Sequence, residues 1–156
     1  VPDLARFALE RGLILRFIEL MPVGEAVRDG FWRRAFVAAD EIRRRLAREY
    51  SLRPAAGTEG GGPARYFRAE GLPGEVGIIA SVSQPFCAGC NRLRITATGE
   101  LRPCLASDSG IPLREALRRG DRDAVREAFA TAIREKPPGH RWHLAPTRTG
   151  MDELGG

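Results

Sequence analysis

The chain has 156 residues, of which 43% are apolar and 29% charged, and this is enough for one domain with a hydrophobic core. Its formal net charge is +5, and arginine supplies every basic residue except Lys136. No apolar run approaches the length of a membrane-spanning helix, and the charged first residues do not resemble a secretory signal, so we expect a cytoplasmic protein outside the membrane. The arginine content indicates either a GC-rich genome or an anionic partner such as a nucleotide or nucleic acid.

The first part of the chain predicts one helix followed by one strand. Residues 2–11 have apolar side chains at helical spacing, and Gly12 is a typical stop. Residues 13–20 are almost continuously apolar, which is typical of a strand buried on both faces of a parallel α/β sheet. Arg16 interrupts this strand, and a buried charge requires either an ionic partner or a polar cavity. The loop that begins at Met21 then follows the strand at the end where α/β sites form.

Near residue 60 the predicted structure changes from αβ units to a small antiparallel sheet. Residues 40–50 predict an amphipathic helix with its arginines on the solvated face. The glycine-rich stretch 54–64 predicts a connector, because it lacks the Gly-Lys-Ser/Thr sequence of a phosphate-binding loop. Strands at 65–69 and 75–82 then predict a hairpin around a glycine-containing turn.

Two helices and a polar tail are predicted for the last third of the chain. We expect Asp108 or Ser109 to cap the first helix, with Pro112 in its first turn. Asp121 is expected to cap the second helix, which carries a clear apolar stripe. The tail 139–156 shows little periodicity, so we expect it not to pack by itself.

The cysteines form the most informative pattern in the sequence. All three lie in one stretch with the spacing Cys87-x2-Cys90-x13-Cys104. An odd, clustered number without a secretory signal argues against a disulfide framework and favours a metal or cluster site in a reducing compartment.

Between Cys90 and Cys104 the sequence predicts a hairpin. Polar and apolar residues alternate over 91–97, Thr98-Gly99 is a turn signal, and the returning strand brings Cys104 roughly opposite Leu93. The predicted solvent face carries Arg92, Arg94, Thr96 and Thr98, and the predicted core face carries Leu93, Ile95 and Ala97. Two like charges on one face repel each other, so Arg92 and Arg94 require carboxylates or a bound phosphate chain beside them, unless they form an exposed basic face. Their position directly after Cys90 favours a bound anion.

Three thiolates allow two kinds of centre. A structural zinc site requires a fourth protein ligand, for which the candidates are His140 and His143 in the tail. A [4Fe-4S] cluster held by three cysteines leaves one iron open to a substrate atom. The spacing alone leaves zinc and cluster both open.

The stretch FCAGCNRLRITATGELRPCL, preceded by GPARYFR and RFIELMPVG, resembles the carboxy-terminal half of the GTP 3',8-cyclase family of radical S-adenosylmethionine enzymes. The resemblance runs from about Leu13 to the terminal Gly-Gly. It implies an α/β fold: the carboxy-terminal part of an incomplete TIM-type (β/α) barrel, joined to a small antiparallel sheet that carries an Fe–S site, and carboxy-terminal helices. The corresponding domains are residues 1–60 for the last αβ units, 61–136 for the sheet and two helices, and 137–156 for an extended tail.

The resemblance also implies roles for individual residues and partners. The three cysteines would hold the second [4Fe-4S] cluster, whose open iron binds the guanine of GTP. GTP would be converted to 3',8-cyclo-7,8-dihydroguanosine triphosphate in molybdopterin biosynthesis, upstream of cyclic pyranopterin monophosphate synthase. The implied site residues are Cys87, Cys90 and Cys104 for the cluster, Arg92, Leu93 and Arg94 for GTP, Met21 for S-adenosylmethionine, and Arg16, Gly155 and Gly156 for catalysis.

One departure from the family limits the expected activity. The Cys-x3-Cys-x2-Cys motif of the first cluster is absent, because no cysteine precedes Cys87. We therefore expect a fragment, a partial gene product or a split protein, inactive alone and completed by the missing amino-terminal half or a homodimer partner. A zinc-stabilised, arginine-rich nucleic-acid-binding module is the alternative, although the resemblance itself implies no nucleic acid. A sulfur carrier ending in Gly-Gly does not agree with the cysteine site.

Overall fold

A computed structural model describes residues 1–57 and 62–153 of the chain, which divides into two compact units. The first unit comprises Val1–Met21 and Ala35–Phe86, and the second comprises Pro22–Arg34 and Cys87–Gly156. In the described parts of the chain, no helix has the length and apolarity needed to cross a membrane.

The helices and strands are α1 (Pro2–Glu10), β1 (Ile14–Ile18), α2 (Phe31–Ala35), α3 (Ala39–Ala47), β2 (Leu52–Ala55), β3 (Arg65–Ala69), β4 (Glu75–Ile79), β5 (Arg94–Ile95), β6 (Glu100–Arg102), β7 (Ile111–Pro112), α4 (Arg114–Arg119) and α5 (Arg122–Arg134). Two 3-10 segments lie at Gly24–Gly30 and Cys87–Gly89. Strands β3 and β4 join β1 and β2 in one sheet.

The first unit is a mixed four-stranded sheet with α1 and α3 packed against it. The strand order is β1-β4-β3-β2, in which β1 and β4 run parallel and the other neighbours run antiparallel. The predicted hairpin of β3 and β4 is confirmed. The core of the first unit combines apolar side chains from both helices and the sheet, among them Leu9, Ile42, Leu46, Val76 and Ile78. The apolar residues that recur at helical and strand spacing thus pack together in one core.

Strand β1 lies at the edge of this sheet, which contradicts the expectation of burial on both faces. Among residues 1–57 and 62–153 it pairs with β4 alone, and Ile14 and Ile18 remain 42% and 57% exposed. In α1, Leu4 and Phe7 are also exposed. A continuous apolar sequence predicted burial, but burial also requires a second neighbouring element, which these residues lack within the described chain.

Glu19 lies directly after β1 and is the one buried acidic residue among the described residues, with 1% exposure. Its carboxylate accepts hydrogen bonds from the backbone N–H groups of Ala39, Val82 and Ser83 at 2.7–2.8 Å, and from the Ser83 hydroxyl. Ala39 begins α3, whose N-cap residue Ala38 offers no side-chain acceptor. Glu19 therefore satisfies the helix start and ties it to the segment that follows β4.

The second unit is built on a three-stranded antiparallel sheet in the order β5-β6-β7. Leu101, Leu113, Ala128 and Ala132 form its core, which joins the sheet to α5. As predicted, Asp121 caps α5, accepting a hydrogen bond from the Ala124 N–H at 3.0 Å.

The start of the preceding helix was predicted wrongly. Pro112 lies in β7, and α4 begins only at Arg114. Asp108 does not cap a helix but binds backbone N–H groups of the tail. Proline fits the first turn of a helix and an edge strand equally well, so its position in the sequence did not distinguish the two.

The tail packs against other residues of the second unit. Thr147 is 1% exposed and forms a parallel bridge with Val23. Its N–H donates to the Pro22 carbonyl at 3.0 Å, and its carbonyl accepts from the Gly24 N–H at 2.9 Å. The Trp142 indole N–H donates to the Thr147 hydroxyl at 2.9 Å. Backbone pairing, which sequence periodicity does not reveal, therefore fixes this segment.

Substituting Gly24 by alanine tests this packing. Gly24 has φ +52, and a Cβ built there would lie 2.7 Å from the Gly150 Cα. We expect Gly24→Ala to lower the melting temperature more than Gly120→Ala, because Gly120 also has positive φ but no atom within 4 Å of its Cβ position. Left-handed strain costs both variants about 1 kcal/mol, so the difference between them isolates the clash with the tail. Equal melting temperatures would contradict the close approach of Gly150.

Candidate functional site

The predicted hairpin between Cys90 and Cys104 is present in the second unit. Strand β5 pairs with β6, and Gly99 forms the turn with φ +81. Arg94 lies opposite Arg102, so the continued register brings Cys104 level with Arg92, one residue from the predicted partner Leu93. The hairpin thus returns Cys104 to the level of Arg92, which is two residues after Cys90.

The two faces of the first strand are not those predicted. Ile95 is 48% exposed, whereas Thr96 is 6% exposed. The Thr96 hydroxyl accepts a hydrogen bond from the Glu100 N–H at 3.0 Å and lies 2.9 Å from the Thr98 hydroxyl. These bonds allow a polar side chain to be buried beside the turn. Leu93 packs against the second core as predicted.

The three cysteines are free thiols and half-buried. Cys87 and Cys90 flank one 3-10 turn, in which the Cys90 N–H donates to the Cys87 carbonyl at 3.0 Å. The Cys104 sulfur accepts a hydrogen bond from the Ala106 N–H at 3.4 Å. Backbone donors to sulfur favour the thiolate form that binds metals.

Basic groups surround Cys90 and stabilise its thiolate. Burial raises the pKa of Cys90, but the Arg92 backbone N–H and the charges of Lys136 and Arg92 lower it by more. The pKa of Cys90 therefore lies below its ordinary value. The Lys136 ammonium donates to the Arg92 carbonyl at 2.6 Å and to the Pro103 carbonyl. Lys136 therefore ties together the two chain segments beside the cysteines.

The cysteines fit a cluster or zinc in donor chemistry, since all three are free and the Cys90 thiolate is stabilised. In their arrangement they are not gathered around one point: within residues 1–57 and 62–153, no three His, Cys, Asp or Glu side chains form a group that could hold a metal ion. This site therefore provides three cysteine sulfur donors but no closed coordination sphere among the described residues.

A cavity of about 300 Å³ lies beside Cys104. Its lining includes Glu135, His140 and Arg141, and the His140 ring stacks on Trp142 with 4.3 Å between ring centroids. His140, one of the two candidates for a fourth zinc ligand, therefore lines the same cavity as Cys104. The other candidate, His143, is exposed.

Two of the other predicted site residues belong to the first unit, and two lie outside the described residues. Arg16 and Met21 belong to the first unit, where the Arg16 Nε donates to the Tyr66 hydroxyl at 2.8 Å. The Arg16 guanidinium carbon also lies 5.7 Å from the centroid of the Tyr66 ring. Arg16 is exposed and Met21 is half-buried. Gly155 and Gly156 lie outside the described residues.

Three residues near the hairpin were missed by the sequence analysis. Lys136 has a signal in the sequence, because it is the one lysine in an arginine-rich chain. Arg102 and Asp108 have no such signal, because their partners in the tail lie 47 and 40 residues away in the sequence.

Together, the fold and this site define a mixed α/β protein with a cysteine-bearing hairpin set among basic groups. Residues 13–142 match the model of one protein family, Molybdenum Cofactor Synthesis C. The chain belongs to that family, as the resemblance implied.

Curated relatives of the chain are named GTP 3',8-cyclase. The Moorella thermoacetica protein is 46% identical over 99% of this chain and 47% of its own length. The Heliobacterium modesticaldum protein is 41% identical over 100% of this chain and 49% of its own length. The protein of Corynebacterium glutamicum strain R is 40% identical over 100% of this chain and 43% of its own length. The chain spans about half the length of these relatives and corresponds to their carboxy-terminal part. None of these names supports a nucleic-acid-binding module.

Proposed function

We propose that this chain is the carboxy-terminal part of a radical S-adenosylmethionine GTP 3',8-cyclase, which forms 3',8-cyclo-7,8-dihydroguanosine triphosphate in molybdopterin biosynthesis. The observation that carries the proposal is the match of residues 13–142 to Molybdenum Cofactor Synthesis C, which includes the whole cysteine hairpin. The product would then be consumed by cyclic pyranopterin monophosphate synthase.

In this proposal Cys87, Cys90 and Cys104 hold a [4Fe-4S] cluster. When bound, such a cluster supplies an open iron that coordinates the guanine of GTP. The lowered pKa of Cys90 and the hydrogen bond to the Cys104 sulfur support the role of these thiols as ligands.

The same hairpin would bind GTP through Arg92, Leu93 and Arg94. Arginine guanidinium groups bind phosphate oxygens through paired N–H donors, and Lys136 adds a third positive charge beside Arg92. These side chains would hold the triphosphate, while Leu93, anchored in the core, fixes the strand that carries both arginines.

Residues of the first unit and of the tail would complete the reaction. We propose Arg16 as an active-site arginine and Met21 as a contact to S-adenosylmethionine. Gly155 and Gly156 would approach the substrate closely, since they carry no side chain. Radical generation would depend on a segment with the first-cluster cysteine motif, because no cysteine precedes Cys87 in this sequence.

The first unit provides a surface to which such a segment could bind. The edge strand β1 exposes Ile14 and Ile18, and α1 exposes Leu4 and Phe7. An unpaired strand edge beside apolar side chains favours the addition of another strand and helix. We propose that the amino-terminal half of a barrel occupies this surface, and that a second copy of the chain is the competing occupant.

A fusion experiment tests the proposed function. The amino-terminal half of the Moorella thermoacetica relative is joined to Val1, and the fusion and the chain alone are reconstituted anaerobically with iron and sulfide. We expect deoxyadenosine and the cyclised nucleotide from the fusion with S-adenosylmethionine and GTP, and neither from the chain alone. In the fusion, Arg94→Ala should raise the KM for GTP by about tenfold or more, because a charge-assisted contact to phosphate is lost.

An exposed arginine far from the hairpin in sequence provides the matched control. Arg118 on α4 pairs with Glu115 at the surface, so Arg118→Ala should leave the KM unchanged. Deoxyadenosine production by the chain alone, or a fusion with a full complement of iron but no cyclised product, would contradict the proposal.

A further inference from the structure

Asp108, in the loop between β6 and β7, holds the backbone of the tail. One carboxylate oxygen accepts hydrogen bonds from the Arg148 N–H at 2.9 Å, the Thr149 N–H at 3.0 Å and the Thr149 hydroxyl at 3.0 Å. The other oxygen accepts from the Arg148 N–H at 3.1 Å. A single carboxylate thus binds two successive backbone N–H groups, 40 residues away along the chain.

Arg102 supports the same contact from β6. It is 6% exposed, and its guanidinium donates to the Thr149 hydroxyl at 2.7 Å, to the Ser107 carbonyl at 3.1 Å and to Glu100 at 3.3 Å. Burial raises the pKa of Asp108, but the tail N–H groups, the Thr149 hydroxyl and the Arg102 charge together bring it below its ordinary value. The carboxylate is therefore ionised at neutral pH.

Beyond this anchor the tail reaches the cysteine hairpin. The Glu153 carbonyl accepts a hydrogen bond from the N–H of Ala97, three residues after Arg94, at 3.4 Å. On the other side of the anchor, Thr147 is fixed by its bridge to Val23. The anchor at Arg148 and Thr149 lies between these two attachments and sets the direction of the chain from one to the other.

We propose that Asp108 is a positioning residue, whose carboxylate, with Arg102, fixes the tail at Arg148 and Thr149 and so directs the following segment, as far as Glu153, to the hairpin of Arg92 and Arg94. The effect of Asp108 on catalysis rests on the proposed function, in which the tail contributes to the GTP site. The anchor itself is a property of this chain alone.

Tryptic cleavage after Arg148 measures the anchor directly. The Arg148 side chain is exposed, but its backbone must detach before a protease can cut there. When opening is fast relative to cleavage, the cleavage rate follows the population of the detached tail. In the 156-residue chain we expect Asp108→Ala to accelerate this cleavage by about tenfold or more, because charge-assisted hydrogen bonds to two N–H groups are lost.

Two further variants separate positioning from folding. Thr149→Val removes the hydroxyl that binds Asp108 and Arg102 and should accelerate cleavage, whereas Thr149→Ser retains it and should resemble the wild type. Asp123→Ala is the control, since Asp123 contacts the exposed Arg126 on α5. In the fusion enzyme, Thr149→Val should lower kcat at unchanged iron content and melting temperature, and Thr149→Ser should restore kcat.

The outcomes are distinguishable. Cleavage after Arg148 that is unchanged in Asp108→Ala and Thr149→Val would disprove the anchor. Faster cleavage with unchanged kcat would disprove the positioning role. If the wild-type fusion makes no product, the proposed function fails, while the cleavage rates of the chain alone still decide whether the anchor exists.

Discussion

Replacing Cys104 by serine is expected to reduce the iron retained after anaerobic reconstitution by about tenfold or more. In the proposed centre three thiolates are the protein ligands, so the loss of one leaves two sulfurs from a single 3-10 turn. A serine hydroxyl stays protonated at neutral pH and does not replace a thiolate. Iron and acid-labile sulfide analysis, together with the visible absorption of the brown cluster, measures the loss.

Thr98→Ser is the matched control for the cysteine variant. Thr98 is exposed at the turn of the same hairpin, and serine retains its hydroxyl, so iron content should equal that of the wild type. Stoichiometric zinc in the wild-type chain, with nucleic-acid binding that weakens as salt rises, would instead support the zinc module and contradict the cluster.

Replacing Glu19 by glutamine is expected to lower the free energy of unfolding by about 3 kcal/mol or more. The carboxylate accepts three backbone hydrogen bonds and one from the Ser83 hydroxyl in a buried position. A carboxamide presents an NH2 group to some of these donors and leaves them without an acceptor. Denaturant unfolding followed by circular dichroism measures the change.

The Glu19 contribution should also depend on pH. Burial raises the pKa of Glu19, but the Ser83 hydroxyl and the N–H groups of Ser83, Ala39 and Val82 bring it below its ordinary value. A carboxyl with a lowered folded-state pKa stabilises the fold above its unfolded pKa, about 4.3, and loses that contribution as pH falls through the folded value. The difference between wild type and Glu19→Gln should therefore be largest near neutral pH and shrink in acid.

Glu70→Gln is the control for this prediction, because Glu70 forms an exposed ion pair with Arg53. Such pairs contribute about 0–1 kcal/mol, so this variant should remain close to the wild type at every pH. A Glu19→Gln variant as stable as Glu70→Gln, or a difference between Glu19→Gln and wild type that grows in acid, would contradict the assigned role.

The local elements of the fold follow largely from the sequence. The hairpin of β3 and β4, the cap at Asp121 and the turn at Gly99 each depend on residues close together in the chain. Alternation, capping side chains and glycine at positive φ have local causes, so a local pattern identifies them. The cysteine spacing and the Arg92–Arg94 pair likewise identified the candidate site from one short stretch.

Errors occurred where the outcome depends on a distant partner. The apolar β1 is an edge strand, because β4 is its one pairing partner in the part of the chain that the structure describes. Pro112 lies in β7, opposite Glu100, rather than in a helix. In each case an interaction with a residue elsewhere in the chain outweighed the local pattern.

The family, the hairpin and the three candidate cysteine ligands follow from the sequence alone, because the cysteines and their flanking arginines lie in one contiguous stretch. Only the folded chain reveals that Glu19 ties β1 to α3, and that Asp108 and Arg102 hold the tail. The Glu19 and Arg102 contacts join residues 20 and 47 positions apart through a buried carboxylate and a buried guanidinium. Burial makes such contacts strong, and burial is a property of the folded chain rather than of any local pattern.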